Sequence, residues 1–410
     1  MEGKTVLFVG AGRHQRRAIA RVLELGVRVV AVDRNPEAPG LAEATVGEAV
    51  DFQDLDAVAE VGRRHEVDGV LTVSADRAVP IVAALAERLG LPGIGFEAAR
   101  RATHKVAMRR ALGEAGVPQP RFAAVRNVAE AHAASGTVGL PAVLKAADSA
   151  GQRGIFRVAS TDELDLALPH ALVESTQQEA ILESYHPGDE INVLAVARGD
   201  DVAIVTVSDR ERPPGIGFGV ATAHVFPARL AEETRAEVER VAVHAIHAVG
   251  LRDTIAYPQL LVCDDGEVRI VELAARIPGG QMGSVAEIGA GIDLVELQVR
   301  LALGEEIADE HLRPRFEQPL AIRFLTARPG PLPTGRVRSV GSLDLAREAP
   351  GVERVETWIE VGETIRPVQR DGDRRGYVIA TGATTDDALR RADAAARLVE
   401  VEVEPAEVTA

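Results

Sequence analysis

The chain has 410 residues, 46% of them hydrophobic, with 62 acidic against 46 basic side chains, a formal charge of −16 and a single cysteine. That length predicts two or three domains with sizeable cores, and the acidic balance argues against a general nucleic-acid binder, which would present basic surface. No apolar run reaches the ~20 residues that span a bilayer, and Cys263 alone permits no intrachain disulfide, so the expected home is the cytoplasm, away from membranes. Only Lys4, Lys105 and Lys145 among the basic residues are lysines. Lysine kept in an arginine-rich chain marks positions where a compact, strongly hydrated point charge is wanted. Lys4 precedes the first strand and is expected to be solvated; Lys105 and Lys145 are candidates for chemistry.

In chain order, residues 5–10 read as a buried strand, followed by Gly10-Ala11-Gly12, a helix over 15–25 and a second strand ending in Asp33. This unit opens a doubly wound α/β domain. It invites a dinucleotide reading, but the third glycine of that fingerprint is replaced by Gln15, which leaves nicotinamide binding a distant alternative. A further strand over 68–74 leads into Ser74-Ala75-Asp76-Arg77, at the carboxyl end where open sheets take ligands; a helix N-cap by Ser74 or Asp76 is the plainer reading. A first boundary is expected near residue 103, with Lys105 opening a helix at the seam.

Residues 121–190 read as a small α/β lid. A strand over 142–146 carries Lys145 into the loop 147–154, whose Ser149, Gly151, Gln152 and Gly154 would offer backbone N–H groups to anions. The segment ILESYHPGDE follows, with Glu183 at a strand end and Glu190 beyond Pro187-Gly188. After strands over 191–212 comes a Pro/Gly-rich loop, 212–226, expected to be an active-site cover, with His224 as a substrate-contact candidate. Past a helix over 230–249, the run Ile255–Gly280 reads as a hairpin turning at Asp265-Gly266 in a two-residue type I′ turn. That register sets Glu272 opposite Gln259, two oxygen-bearing side chains able to share a hard cation such as Mg²⁺. Arg276 and Gly279-Gly280 follow. Asp293 is an N-cap candidate for a helix ending at Gly304. From about 312 the chain reads as a small α+β domain, with strands over 321–325, 337–340, 353–360 and 376–381, a helix over 385–398 capped by Thr384 or Thr385, and a strand over 399–404.

Taken together, a glycine-turn α/β start, a lysine at the seam, a lysine before a Ser/Gly loop, Glu-x-Tyr-x-Pro-Gly-x-Glu, and Gln259 followed by Glu-x-x-x-Arg resemble the ATP-grasp superfamily over essentially the whole chain. The resemblance implies an α/β fold in three parts: a Rossmann-like domain over 1–103, a split ATP-grasp domain over 104–311, and a C-terminal α+β domain over 312–410. It implies ATP with Mg²⁺ or Mn²⁺ as cofactors. Lys105 and Lys145 would contact phosphates under the loop Ser149–Gly154, including Gly151 and Gln152. Glu183, Ser184, Tyr185 and His186 would meet the adenine edge, Glu190 the ribose, and Gln259 and Glu272 the metal. Arg276, Lys145 and His224 are the catalytic candidates. The family's usual Glu-x-Asn-x-Arg stands here as Glu272-Leu273-Ala274-Ala275-Arg276, so one customary ligand is missing.

The C-terminal part and the His224-Val225-Phe226-Pro227-Ala228 segment look most like the dipeptide-forming carboxylate–amine ligases. The expected partners are therefore a small carboxylate, an amine and a second copy of the chain in a homodimer. Purine-pathway or carbamoyl chemistry remains the alternative among enzymes, with Arg13, Arg16 and Arg77 available to a sugar phosphate. A nucleotide-binding module with a degenerate metal site, resting on Ala274, is the alternative outside catalysis.

Overall fold

Short runs rich in valine and alanine build the first sheet: β1 (Thr5–Val9), β2 (Arg28–Asp33), β3 (Val46–Ala49) and β4 (Gly69–Leu71) are all parallel, in the order β3-β2-β1-β4. All of β1 is buried, as expected of a parallel strand covered on both faces. The computed structural model describes residues 1–214 and 217–404. β4 stops earlier than the expected 68–74. Beyond it Val73 bridges to Ile277, and the Ser74 amide donates 3.0 Å to the Ile277 carbonyl, with Ser74 at φ +59°. The carboxyl end of this sheet is thereby stitched to the segment after Arg276.

A second, antiparallel sheet contains β5 (Phe122–Val125), β6 (Ala142–Ala146), β7 (Ile155–Val158) and β8 (Ala180–Ser184), in the order β5-β8-β6-β7. Lys145 stands on its central strand β6 and Glu183 on β8.

The largest sheet runs through the middle of the chain and onward. Its strands are β9 (Gly188–Arg198), β10 (Asp201–Glu211), β11 (Ala223–Phe226), β12 (Thr254–Cys263), β13 (Val268–Ala274) and β14 (Leu320–Phe324). Of the later strands β15 (Gly335–Val340), β16 (Val352–Thr357), β17 (Thr364–Ile365), β18 (Gly376–Thr381) and β19 (Val401–Glu404), β16 and β18 join it. The order is β13-β12-β9-β10-β11-β14-β18-β16, so hydrogen bonding continues across the expected division at 312; β17-β15-β19 form a separate small sheet. The expected loop 212–226 is corrected here. Its last four residues are β11, paired with β10 through His224 opposite Arg210, while residues 215 and 216 lie outside the described residues.

Period-two alternation sorts the residues of this sheet. Ile191, Val193, Ala195 and Ala197 of β9 pack with Val238, Val241, Ala245 and Val249 of the helix Glu232–Val249. Glu190 and Asn192 therefore face the other way, towards the N-terminal sheet. On β12 the same rule turns Ala256 and Leu260 to the helix, and Tyr257 and Gln259 away from it.

The hairpin of β12 and β13 departs from the expected type I′ turn. Cys263 and Glu267 close a three-residue loop, Asp264-Asp265-Gly266, with Gly266 at φ +85°, the G1-bulge arrangement of hairpins. That shifts the register by one beside the turn, where Leu260 faces Ile270. A second irregularity at Val271 shifts it back, so that Gln259 does face Glu272. The extra residue also flips the parity of the strand. Ile270 and Leu273 both pack on the helix side, and Glu272, Ala274 and Arg276 turn to the opposite face. No atom lies within 4 Å of where a Gly266 side chain would begin, so Gly266→Ala is expected to lower stability through conformation alone, by about 1–2 kcal/mol in urea denaturation.

Candidate active site

Glu272, Ala274 and Arg276 open onto a cavity of about 660 Å³. The N-terminal sheet closes one side of it with Ser74, Asp76 and Arg77, the loop after β6 covers it with Gly151 and Gln152, and the C-terminal part contributes Trp358 and Arg374. Gln259 and His224 line it as well. Lys105, Lys145, Ser149, Gly154, Glu183 to His186 and Glu190 do not line it. Several of them connect to it through contacts just behind its wall, and Glu190 lines a second cavity of about 680 Å³.

Lys105 begins the helix Lys105–Glu114 and is buried. Its ammonium donates 2.6 Å to the Ser149 carbonyl and stands 3.8 Å from Glu272 Oε1. It thus joins the glycine loop to the hairpin carboxylate. Ser149 Oγ is buried and, among the described residues, has no hydrogen-bond partner, an orphan donor beside a cation. Gly151, Gln152 and Gly154 all hold positive φ, at +68°, +62° and +66°. That backbone turns amides outward as an anion-binding concavity does.

Lys145 donates 2.7 Å to Glu183 Oε2, and Arg109 Nε donates 2.7 Å to Glu183 Oε1. Burial alone would push the Glu183 carboxyl up, but the two cations overcome it and hold it at about 2. Both oxygens of Glu183 are therefore engaged inside the protein by these two cations. The amides of Ser184 and Tyr185 also donate inward, to the Arg121 and Pro141 carbonyls. Ser184 Oγ meets His186 Nε2 at 2.9 Å, and the Tyr185 ring lies 4.8 Å below the Arg157 guanidinium. Glu190 is similarly held, with Arg210 Nε at 2.8 Å and an Arg212 nitrogen at 3.0 Å.

Gln259 gives its amide N–H to Asn192 Oδ1 and to the Tyr257 hydroxyl, each at 3.3 Å, which leaves its carbonyl oxygen for a ligand. Glu272, directly opposite, has the Lys105 contact and a partly open carboxylate. One carboxylate and one amide oxygen suit a hard cation that also takes phosphate oxygens and water, so the residues present fit Mg²⁺. Among the described residues there is no group of three or more His, Cys, Asp or Glu side chains that could hold a metal by itself.

Arg276 makes a two-pronged pair with Asp76 of the N-terminal sheet, at 2.9 and 2.6 Å. His224 is buried on β11 and sits edge-on to Phe324. Its Nδ1 accepts from Asn192 Nδ2 at 3.1 Å, which leaves the proton on Nε2, near Gly280. Burial, with Arg210 and Arg374 nearby, holds its pKa well below 6.5. His224 is therefore expected to stay neutral on titration from pH 8 to 6, with NMR shifts of the ring unchanged. The sign follows: the unfolded chain takes up that proton below about pH 6.5, so stability falls with pH there.

The glycine turn of the N-terminal sheet is structurally complete without a dinucleotide. Asp33 accepts the Ala11 N–H at 2.9 Å, and Gln15 donates 2.7 Å to the Val73 carbonyl, filling the space a third glycine would open. Arg16, held ready for a sugar phosphate in the sequence reading, pairs instead with Glu43 at the surface.

Several site residues escaped sequence reasoning. Arg109 follows Lys105 by one helical turn, and Asn192 follows Glu190 by two strand positions, so each shares a face with a residue already singled out. Trp358 carried only its uniqueness. Its indole donates to the Arg374 carbonyl at 2.9 Å, and Arg13 stands 5.1 Å over its ring. Nothing local marked Arg374.

Comparison with known proteins agrees in extent with this architecture. Residues 21–93 match the ATP-grasp N-terminal domain, residues 104–310 the carbamoyl-phosphate synthase L chain ATP binding domain, and residues 323–404 the L-amino acid ligase C-terminal domain 2. A formate-dependent phosphoribosylglycinamide formyltransferase of Ignicoccus hospitalis is 27% identical over 96% of this chain and 95% of its own. The L-amino acid ligase of Bacillus licheniformis superposes with a TM-score of 0.83 at 20% identity, covering 98% of this chain and all of that one. Phosphoribosylglycinamide synthetase of Anaerococcus prevotii superposes at 0.76 and 21% identity, over 98% of this chain and 100% of its own. The two superpositions show the ATP-grasp fold. With half its length matching the carbamoyl-phosphate synthase L chain ATP binding domain, the chain belongs to that ATP-grasp family and is an ATP-dependent ligase forming C–N bonds.

Proposed function

We propose that this enzyme uses ATP to convert a small carboxylate, an amino acid or its like, into an acyl phosphate that an amine then attacks. The observation that carries the reading is the set Gln259, Glu272 and Arg276, turned by the β12–β13 hairpin and the segment after it into a single cavity with Lys105 against Glu272. A carboxylate is a poor electrophile until phosphorylated, and phosphoryl transfer asks for positioning and charge neutralisation above all. Lys105 and Lys145 serve the phosphates, with the loop Ser149–Gly154 folding its amides over them. Gln259 and Glu272 would hold Mg²⁺, which when bound would supply charge neutralisation to phosphate oxygens. Arg276 takes the carboxylate or its acyl phosphate in exchange for Asp76. His224, neutral, offers its Nε2–H to the reacting end. The main chain of Ser184–His186 remains the candidate for the adenine edge, and Glu190 for the ribose once released from its arginines. A cytoplasmic homodimer belongs to the same reading.

Amino-acid substrates are favoured by the match of residues 323–404 to the L-amino acid ligase domain. One feature favours a second reading, a phosphorylated amine such as a phosphoribosyl amine: the cavity carries Arg13, Arg77, Arg370 and Arg374 beyond Arg276. The experiment that separates them is ADP release with Mg²⁺-ATP over amino acids singly and in pairs, and over phosphoribosyl amines with formate or bicarbonate, with mass spectrometry of the products. Release that requires two amino acids and yields their dehydrated condensate supports the ligase proposed. Release only with a phosphoribosyl amine transfers the assignment, and ATP binding with no turnover on any acceptor favours a degenerate site.

A further inference from the structure

Arg109 has no part in the chemistry above, yet it is the largest of the fully buried side chains among the described residues. Its three nitrogens are aimed in two directions. Nε binds Glu183 at 2.7 Å, and Glu183 in turn binds Lys145 at 2.7 Å. The other two nitrogens donate to the carbonyls of Ile270 and Val271, at 2.9 and 2.7 Å. Val271 is the extra residue of β13, the one whose insertion turns Glu272 and Arg276 into the cavity. A bulge disrupts the ladder locally, and a buried carbonyl left without a donor is costly. The planar guanidinium matches two adjacent carbonyls as no lysine can. A buried ion pair is an expensive way to fill this volume, which an apolar side chain could occupy without desolvating charge.

We propose that Arg109 is a positioning residue that holds, from one buried fork, both the Lys145 ammonium and the bulge that presents Glu272. The inference rests on the reading that Lys145 meets ATP phosphates and Glu272 the metal. It explains how β6 and β13, which share no sheet, keep a fixed spacing across the nucleotide site. It also assigns the two arms separate consequences: the Glu183 arm acts on ATP affinity, the carbonyl arm on the metal.

The test is ATP binding by calorimetry to the full chain, repeated over a range of Mg²⁺ concentrations. Arg109→Lys keeps the charge but can satisfy only one arm. The Mg²⁺ concentration for half-maximal ATP binding is expected to rise about tenfold or more, measured at a temperature where the variant, though of lower thermal midpoint, remains folded. Glu183→Gln keeps the bulge clamp, so it should weaken ATP binding while leaving the Mg²⁺ midpoint unchanged. A parent-like Mg²⁺ midpoint in Arg109→Lys overturns the proposal, as do losses in both variants that follow only their thermal midpoints. Should Arg109→Lys not fold, Glu183→Gln combined with Lys145→Met carries the test. Non-additive loss of ATP affinity supports the Glu183 arm, and additive loss overturns it. A parent chain that binds no Mg²⁺-ATP would instead overturn the reading of the site, an outcome visible before any variant is made.

Discussion

Glu272→Gln is expected to reduce acceptor-dependent ADP release by about 10²–10³-fold, the range seen when one preorganised electrostatic group is lost from a transition state. The substitution keeps shape and removes charge. In the parent, the carboxylate lies opposite the Gln259 amide and 3.8 Å from the Lys105 ammonium. With an amide in its place the site retains two neutral oxygens, and Lys105 loses the carboxylate 3.8 Å from its ammonium. Since Ala274 supplies no further ligand, no neighbour on β13 compensates. The side chain is 35% exposed, so folding should be unaffected, and the thermal midpoint serves as the control. Turnover within a few-fold of the parent would separate Glu272 from the metal.

The largest expected effect on stability is that of Glu183→Ala, a loss of about 3–5 kcal/mol, the cost of leaving buried charge without its partner. Arg109 and Lys145 would both remain in the interior, one of them 1% exposed. Urea denaturation at neutral pH reads this directly. The pH dependence has a definite sign. Because the two cations hold the folded Glu183 carboxyl at about 2, below its ordinary 4.5, its contribution is complete above 4.5 and is lost as pH falls through about 2. The acid limb of the parent's stability curve should flatten in the variant over that window.

The hairpin tells how far sequence reasoning reached. The pairing of Gln259 with Glu272 was legible, although the turn that produced the expectation is not the turn present. Two single-residue shifts, one at Gly266 and one at Val271, cancel between the loop and the site. The bulge could not be read locally, because the donor that satisfies its carbonyls is Arg109, 161 and 162 residues away in sequence. The parallel N-terminal sheet was legible from its apolar runs, and Thr384 and Asp293 do cap their helices as their spacing suggested. β11 was hidden inside a Pro/Gly-rich stretch, since its partner β14 lies nearly a hundred residues onward and strand identity there depends on that pairing. Glu183 and Glu190 were singled out as candidate carboxylates, but the cations that engage them were not legible. The side of the cavity lined by Trp358 and Arg374 was invisible because its residues converge only through the long sheet.

Acyl-phosphate formation in the Glu272–Arg276 cavity would move an oxygen from the carboxylate to phosphate. With a carboxylate substrate labelled with ¹⁸O at both oxygens, one label is predicted to appear in the inorganic phosphate for each amide formed, the other remaining in the product. Amide formed with no ¹⁸O in phosphate would contradict phosphoryl activation of the carboxylate.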